Sequence, residues 1–257
     1  MPEPLQQLLT TNVFAWMLVF TRVGAAFISL PGVGEAFVSP RIRLLFALLV
    51  SALLVPVLGP RLPAMPEQSF ALMALLVGEV FYGAFIGMVA RLIVSTIETG
   101  GMIIAMQISL SNASVFNPAM ASQSSLTSAL LGVTALTLMF ATDLHHLLFW
   151  AVADSYTVFT PGAFPQAGDH AFTYSKLLGQ SFSVATQLAA PFLVLGLVFY
   201  LGLGLLARLM PQLQVFFIAI PAQIYLGVII LGLTLSTLMM VWLNYARFSI
   251  NALLGIE

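Results

Sequence analysis

The chain has 257 residues, of which 60% are hydrophobic and only 7% are charged, and its formal net charge is −1. Soluble domains carry roughly 25% charged residues, so a surface of this composition would expose larger apolar patches than soluble monomers tolerate. The composition excludes an ordinary soluble protein and predicts an integral membrane protein. Because there is no basic cluster to displace counterions from phosphates, we expect no nucleic-acid partner.

Six apolar runs are long enough to be considered as membrane helices, for which about 20 residues are needed. In chain order they cover residues 13–30, 44–58, 70–90 with a continuation to 97, 126–142, 182–207 and 213–243. They are too long and too continuous for barrel strands, which are segments of about 10 residues with alternating polarity. We therefore predict an all-α integral membrane protein with about six long hydrophobic helices.

The residues before the first apolar run hold an acid and two prolines where a secretory leader would be basic, so we expect this run to be a retained span. Basic residues divide almost evenly between the two sides of a six-span chain. One side would hold Arg41, Arg43, Arg91 and Arg208, and the other would hold Arg61, Lys176 and Arg247. This weak positive-inside bias places both termini outside, and it suggests that partner subunits help to position the chain.

Four ionisable side chains lie within or beside the first and third apolar runs, where a charge is costly unless it faces a partner or water. They are Arg22, Glu79, Arg91 and Glu98. Arg91 and Glu98 are two helical turns apart and would share one polar stripe. These residues suggest either a proton or ion relay or ion pairs between helices or subunits. We favour ion pairs, because we find no second converging carboxylate or broken-helix site of the kind that transporters usually show.

Two pairs of glycines mark the third apolar region. Gly83 and Gly87 form a GxxxG pattern, which permits close helix approach but is common in glycine-rich membrane proteins. Gly100 and Gly101 would each weaken a helix by about 1 kcal/mol relative to alanine. We therefore predict a hinge at Gly100 and Gly101, leading into the polar segment that follows.

The segment after this hinge combines polarity with an absence of charge. No formal charge occurs between residues 99 and 142, and residues 109–128 are rich in Ser, Asn and Gln. Met102, Met106 and Met120 flank the polar part, and methionines suit contacts that must adapt or reopen, although ordinary membrane-core methionines would look the same. The segment is too polar to span a membrane comfortably and too poor in charge to be an ordinary solvated loop.

Asp143, His145 and His146 precede a short apolar stretch at residues 147–158. Neighbouring histidines point to different faces of a helix, so we expect a helix start capped by Asp143 in preference to a metal site. The length of the stretch favours an interfacial or buried helix over a span. We find no nucleophile-and-base pattern and no glycine-rich phosphate loop, and we expect no enzyme activity, no cofactor and no bound metal.

Three stretches of the chain carry a family resemblance, and the last two apolar runs form a predicted helical hairpin around one of them. The stretches are GMIIAMQ at residues 101–107, followed by Phe116-Asn117-Pro118; ARLMPQLQVF at residues 207–216, followed by Pro221; and VSPR at residues 38–41, with Arg43. Together they resemble the FliR/YscT/SpaR family of type III secretion export-gate proteins, and they are closer to the flagellar branch. The resemblance covers essentially the whole chain in length and motif order.

This resemblance implies a non-enzymatic subunit of the export gate in the bacterial inner membrane, at the flagellar basal body. The partners that it implies are homologues of FliP, FliQ and FlhB, together with membrane lipid and the unfolded proteins in transit. Residues from 1 to about 175 would form a FliP-like part, and residues from about 176 to 257 would form a FliQ-like hairpin. The apolar helices would then pack mostly against other subunits, partly above the membrane plane.

The resemblance also implies that the segment from Met106 to Ser122 plugs the pore. The plug residues would be Met106, Gln107, Ser109, Ser111, Asn112, Phe116, Asn117, Pro118 and Met120. The hairpin loop, which would face the cytoplasm, contributes Arg208, Met210, Pro211, Gln212 and Gln214. Relatives often have Asp where this chain has Asn117, so a role that depends on a charge at that position does not transfer.

Three alternatives remain open at this point. An injectisome homologue would share the fold but would export virulence proteins. A small-solute or ion transporter would use Glu79, Glu98 and Arg22, and it would need a paired site made by two broken helices. A passive assembly scaffold would keep the polar segment outside any pore.

Overall fold

The computed structural model describes residues 3–112, 126–162, 167–210 and 215–254, and within these ranges the regular structure is helical. The α-helices are α1 (Glu3–Ser29), α2 (Pro40–Leu58), α3 (Ser69–Gln107), α4 (Leu126–Ala141), α5 (Leu144–Val158), α6 (Ala167–Leu209) and α7 (Val215–Leu254). Five of them are long and apolar enough to cross a membrane, and α4 with α5 would make a sixth, bent span. The predicted all-α membrane fold is confirmed.

Prolines lie at both boundaries of α2. Pro40 occupies the first turn, where its missing N–H has no helical partner, and the Ser39 hydroxyl accepts a hydrogen bond from the backbone N–H of Ile42. After α2 a single 3₁₀ turn covers Gly59–Arg61, and helix resumes only at Ser69. The proline-rich connection between α2 and α3 therefore prevents one continuous helix.

Helix α3 is longer than the third apolar run, because it continues to Gln107 through the two glycines at 100 and 101. The helix continues through both glycines, and a hinge at Gly100 and Gly101 stays a prediction. A β-carbon on Gly101 would lie only 2.7 Å from the Cα of Ser128, and one on Gly100 would lie 3.3 Å from the carbonyl oxygen of Ala185. Both glycines stand where neighbouring backbones approach α3 closely, and this packing offsets their low helix propensity.

Helix α4 ends at Ala141, and α5 begins at Leu144. Asp143, which precedes α5, has a φ of 60°, and its side chain makes no capping hydrogen bond. The prediction of a side-chain cap was wrong, because a capping residue needs an extended backbone and Asp143 is left-handed. Instead, its carboxylate lies 3.6 Å from the Nδ1 of His146.

Helices α6 and α7 have 43 and 40 residues, with Pro191 and Pro221 inside them. At 1.5 Å per residue a helix of this length is about 60 Å long, which is roughly twice the thickness of a bilayer's hydrocarbon core. Even a strong tilt leaves part of each helix outside the hydrocarbon. Both helices exceed the apolar runs from which they were predicted.

The described residues form two compact units. The first takes its residues from Met1–Leu92, Thr142–Leu177 and Ser249–Glu257, and the second takes them from Ile93–Ala141 and Leu178–Phe248. In the first unit, α1 is the buried element, with Leu18, Val19, Val23, Ala26 and Phe27 wholly enclosed. In the second, Ile97, Ile104, Leu131, Phe192 and Trp242 form the core. The division into a FliP-like part and a FliQ-like hairpin near residue 175 stays a prediction, and that boundary falls within α6.

Candidate functional site

The first unit encloses an ion pair between α1 and α3. Arg22 and Glu79 have side chains that are 0% and 1% exposed. The guanidinium donates from Nε to Oε2 at 2.6 Å and from Nη2 to Oε1 at 3.0 Å. This two-point geometry is the strongest form of an arginine–carboxylate contact, and it joins two of the four ionisable residues named from the sequence.

The remaining donors of Arg22 are also used. Nη1 donates to the carbonyl and the hydroxyl oxygens of Ser155, at 3.0 and 3.2 Å, and Nη2 donates to the carbonyl oxygen of Phe159 at 3.0 Å. The guanidinium carbon lies 4.0 Å from the ring centroid of Tyr156 and 5.2 Å from that of Tyr82. The buried charge thus meets a carboxylate, backbone carbonyls and aromatic faces, an arrangement suited to holding α1, α3 and the end of α5 together.

The GxxxG pattern explains how α3 reaches this position. A β-carbon on Gly83 would overlap the backbone carbonyl of Arg22, and one on Gly87 would meet the carbonyl oxygen of Ala26. Glu79, Gly83 and Gly87 are four residues apart and share one face of α3. The two glycines allow the backbones of α1 and α3 to approach, and Glu79, one turn earlier, then faces Arg22.

Aromatic rings enclose the same cluster. Tyr82 stacks on Phe159 with ring centroids 4.9 Å apart, and the imidazole of His170 lies 4.9 Å from Phe85 and 5.2 Å from Phe159. His170 stands near the start of α6, so these contacts fasten the first turns of α6 to α3. Such ring pairs contribute about 0.5–1.5 kcal/mol each beyond the burial of their area.

Arg91 contacts the carboxylate of Glu35, in the connection between α1 and α2. Arg43 donates from Nε to the carbonyl oxygen of Val33 and from Nη2 to that of Glu35, both at 3.1 Å. Two arginines therefore fix this turn-rich connection. Arg91 was expected to share a stripe with Glu98, and its contact with Glu35 was missed because that residue lies in a loop without periodicity.

Glu98 lies in the second unit, beside α4. Its backbone carbonyl accepts a hydrogen bond of 2.8 Å from the Ser128 hydroxyl, and its carboxylate oxygen Oε1 lies 3.1 Å from where a β-carbon on Gly132 would stand. Small residues of α4 thus leave room for this acidic side chain at the α3–α4 contact.

The start of the predicted plug lies at the carboxyl end of α3. Met106 and Gln107 are in the last turn, Ser109 has a φ of 61°, and Leu110–Asn112 form one 3₁₀ turn that includes Ser111. A left-handed serine is uncommon, and it turns the chain sharply out of the helix. The plug residues Phe116, Asn117, Pro118 and Met120 lie outside the described residues.

One glutamine of α7 contacts this turn through both the nitrogen and the oxygen of its carboxamide. The carboxamide of Gln223 donates to the carbonyl oxygen of Gln107 and accepts a hydrogen bond of 2.8 Å from the Ser109 hydroxyl. Gln223 is 3% exposed and Ser109 is 5% exposed. Gln223 was not predicted from the sequence, although a lone amide in the apolar stretch IPAQIY was a usable signal.

Arg208 is in the last turn of α6, where a positive charge complements the helix dipole, and Met210 directly follows the helix. Both side chains are exposed. The other residues expected in the hairpin loop, Pro211, Gln212 and Gln214, lie outside the described residues. The direction in which this loop faces stays a prediction.

Asp143, His145 and His146 have ligand atoms that all lie within 4.8 Å of one another. The two imidazole centroids are 4.1 Å apart, so the side chains of His145 and His146 do not diverge as expected. These three ligands, of which Asp143 and His146 are exposed and His145 is half-buried, are fewer than the four of a closed structural zinc site. The absence of a bound metal stays a prediction.

Comparison with known proteins gives consistent matches. Residues 13–248 match the family described as bacterial export proteins, family 1. The chain is 41% identical to the flagellar biosynthetic protein FliR of Caulobacter vibrioides over 236 residues, which cover 92% of this chain and 94% of that protein. It is 29% identical to FliR of Bacillus subtilis, over 93% of each chain. It is also 33% identical to Yop proteins translocation protein T of Yersinia pestis, over 63% of this chain and 62% of that protein.

Proposed function

The chain belongs to the bacterial export proteins of family 1, and from this premise we propose that it is a subunit of a flagellar type III export gate. It assembles with homologues of FliP and FliQ, beside a homologue of FlhB, into an inner-membrane channel for unfolded flagellar proteins. The single observation that carries this proposal is the 41% identity to a FliR protein over 92% of the chain. The flagellar branch is favoured over the injectisome branch because the Yersinia relative matches over only 63%.

The surfaces of the long helices support a role inside a larger assembly. Large apolar side chains point outward along α2, α6 and α7, among them Leu53, Leu201 and Leu233, which are 75%, 67% and 78% exposed. Lipid covers such residues within the hydrocarbon layer. Since α6 and α7 exceed the thickness of that layer, other membrane subunits are needed to cover their remaining apolar length.

We define the gate segment as Met106 to Ser122 and propose that it closes the channel. Met102 and Met106 are 49% and 55% exposed, on the face of α3 that leads into the segment. Residues 99–142 carry no formal charge, so this part of the protein would not hold an exported polypeptide by strong electrostatic attraction. Methionines can seal by adaptable contact and can reopen.

The protein acts without catalysis in this proposal, and the ion pair of Arg22 and Glu79 is structural. A small-solute transporter would need its charged residues to face a substrate at a paired site of broken helices. Here the guanidinium of Arg22 donates its hydrogen bonds to Glu79, Ser155 and Phe159, and its positive charge is buried inside the first unit. This observation favours the export gate over a transporter.

A deletion strain of the source bacterium tests the proposal. Removing the gene should abolish motility and the appearance of flagellar proteins in the medium, and a plasmid copy should restore both. Affinity purification of the tagged chain from membranes should recover the homologues of FliP and FliQ. A strain that still secretes flagellar proteins would contradict the proposal, and loss of virulence-protein secretion alone would favour the injectisome alternative.

A further inference from the structure

The carboxyl end of α3 is fastened to α7 through one side chain, that of Gln223. We propose that Gln223 is a positioning residue that fixes the end of α3 and thereby sets where the gate segment leaves the helix. The claim that this position affects the gate segment rests on the function proposed above. The claim that Gln223 fixes the end of α3 rests only on contacts within the second unit.

Both polar ends of the Gln223 carboxamide are used at this turn. The last carbonyl groups of an α-helix have no partner within the helix, and the Gln223 NH₂ group donates to one of them, at Gln107. The amide oxygen accepts the hydrogen bond of the Ser109 hydroxyl. Gln223 and Ser109 are buried and the contact with Gln107 is part-buried, so loss of the amide would leave a hydroxyl and a carbonyl without their present partners in a largely enclosed place.

The left-handed backbone of Ser109 makes the turn depend on such support. A non-glycine residue with positive φ is disfavoured by contact between its β-carbon and the backbone. The Ser109 hydroxyl donates a hydrogen bond to the amide oxygen of Gln223, and this bond helps to offset the cost of the left-handed backbone. The path of the chain after α3 is thus coupled to the position of α7.

Two glycines bring the neighbouring helices close enough for this contact. A β-carbon on Gly227 would overlap the side chain of Ile108, and one on Gly196 would overlap the amide oxygen of Gln107. Gly227 is one turn beyond Gln223 on α7, so the same face of α7 packs on the end of α3. A shift of α7 along α3 would break the hydrogen bonds and this packing together.

An engineered disulfide can report the position of the α3 end, because the chain contains no cysteine. A β-carbon on Gly196 would lie 3.8 Å from the β-carbon of Gln107, close to the mean of about 3.8 Å found in disulfides. The pair Gln107→Cys and Gly196→Cys also removes the amide oxygen that would obstruct a side chain at 196. The backbone carbonyl of residue 107 remains available to Gln223.

The test compares the rate of disulfide formation in three backgrounds, using the full chain co-expressed with its FliP and FliQ homologues. The backgrounds are the otherwise unchanged sequence, Gln223→Leu and Gln187→Leu. Gln187 is a matched control, because it is an exposed glutamine of α6 whose amide, among the described residues, donates a hydrogen bond to Ser183 one turn earlier. If Gln223 positions the end of α3, its substitution should slow cross-linking at least about fivefold, because it removes two hydrogen bonds and the loss of each is worth about 1 kcal/mol net. Gln187→Leu should leave the rate unchanged.

The same variants, without the cysteines, should then be compared for ion leakage across the membrane, normalised to the amount of assembled complex. Gln223→Leu should raise leakage, and Ser109→Ala should do so to a smaller extent. Ser109→Ala also serves if Gln223→Leu fails to accumulate, because it removes only one of the two hydrogen bonds.

Cross-linking in Gln223→Leu at the rate of Gln187→Leu would overturn the positioning role. Slower cross-linking together with unchanged leakage would uphold that role and would overturn the gate assignment instead. The two failures are therefore distinguishable.

Discussion

The carboxylate of Glu79 and the guanidinium of Arg22 form two hydrogen bonds although the residues are 57 positions apart in the chain. Both side chains are buried, and Ser155 and Phe159 take up the remaining donors of the arginine. The pair therefore links three helices of the first unit at one point.

Removing one partner of this pair should be far more damaging than removing both. Glu79→Gln leaves a buried guanidinium without its counter-charge, which costs about 3–5 kcal/mol in comparable cases. The double variant Arg22→Leu with Glu79→Leu has no buried charge and should recover much of the loss. The yield of assembled complex after membrane extraction measures both effects. Equal loss in the single and double variants would contradict a pairing role, and normal assembly with loss of export in Glu79→Gln would favour a relay.

The close approach of α1 and α3 can be tested at Gly83. The change Gly83→Ala places a methyl group against the backbone carbonyl of Arg22, and such overpacking costs about 1–3 kcal/mol. The matched control is Gly204→Ala in α6, where an added methyl meets no atom of the described chain within 4 Å. Thermal unfolding of the purified complex should show a lower midpoint for Gly83→Ala only. Equal midpoints would contradict the tight contact.

Substitutions at Gly100 and Gly101 can distinguish a role in close packing from a role as a hinge. A methyl group at Gly101 would lie 2.7 Å from the Cα of Ser128, whereas one at Gly100 would lie 3.3 Å from the nearest atom, at Ala185. Packing predicts that Gly101→Ala lowers the unfolding midpoint clearly more than Gly100→Ala does. If the pair acted as a hinge, both variants should instead keep their stability and slow export by similar amounts.

The length of the apolar runs was enough to predict the helices, because a membrane helix needs a continuous apolar stretch and the chain has few prolines inside these stretches. The charged residues Arg22 and Glu79 could be singled out for the same reason. Their contact could not be predicted, because it depends on how Gly83 lets two distant helices approach. Helix ends were less predictable: α3 passes Gly100 and Gly101 because packing stabilises it there, and the chain turns only at Ser109.

The contact that holds this turn was missed for a related reason. In the sequence, Gln223 looks like any polar residue inside an apolar helix. Only the fold brings its amide to the carbonyl of Gln107, one of the last carbonyls of α3, which have no partner within the helix. Glu35 was missed because its loop has no periodicity from which a facing residue could be inferred. In both cases the sequence shows a side chain that can form the contact, but it does not show which distant residue the fold brings next to it.

The conductance of the assembled complex tests most directly whether the segment from Met106 to Ser122 closes a pore. Deleting residues 113–119 should leave assembly with the FliP and FliQ homologues largely intact, because the helical contacts described above lie outside the deletion. Each well-buried Met or Phe in a seal contributes only about 1.5–3 kcal/mol, so loss of part of the segment should open the channel. We expect membranes that contain the deletion variant to leak ions or small solutes, and those with the unaltered chain to stay tight. Unchanged conductance in a deletion variant shown to be assembled would contradict the gate assignment.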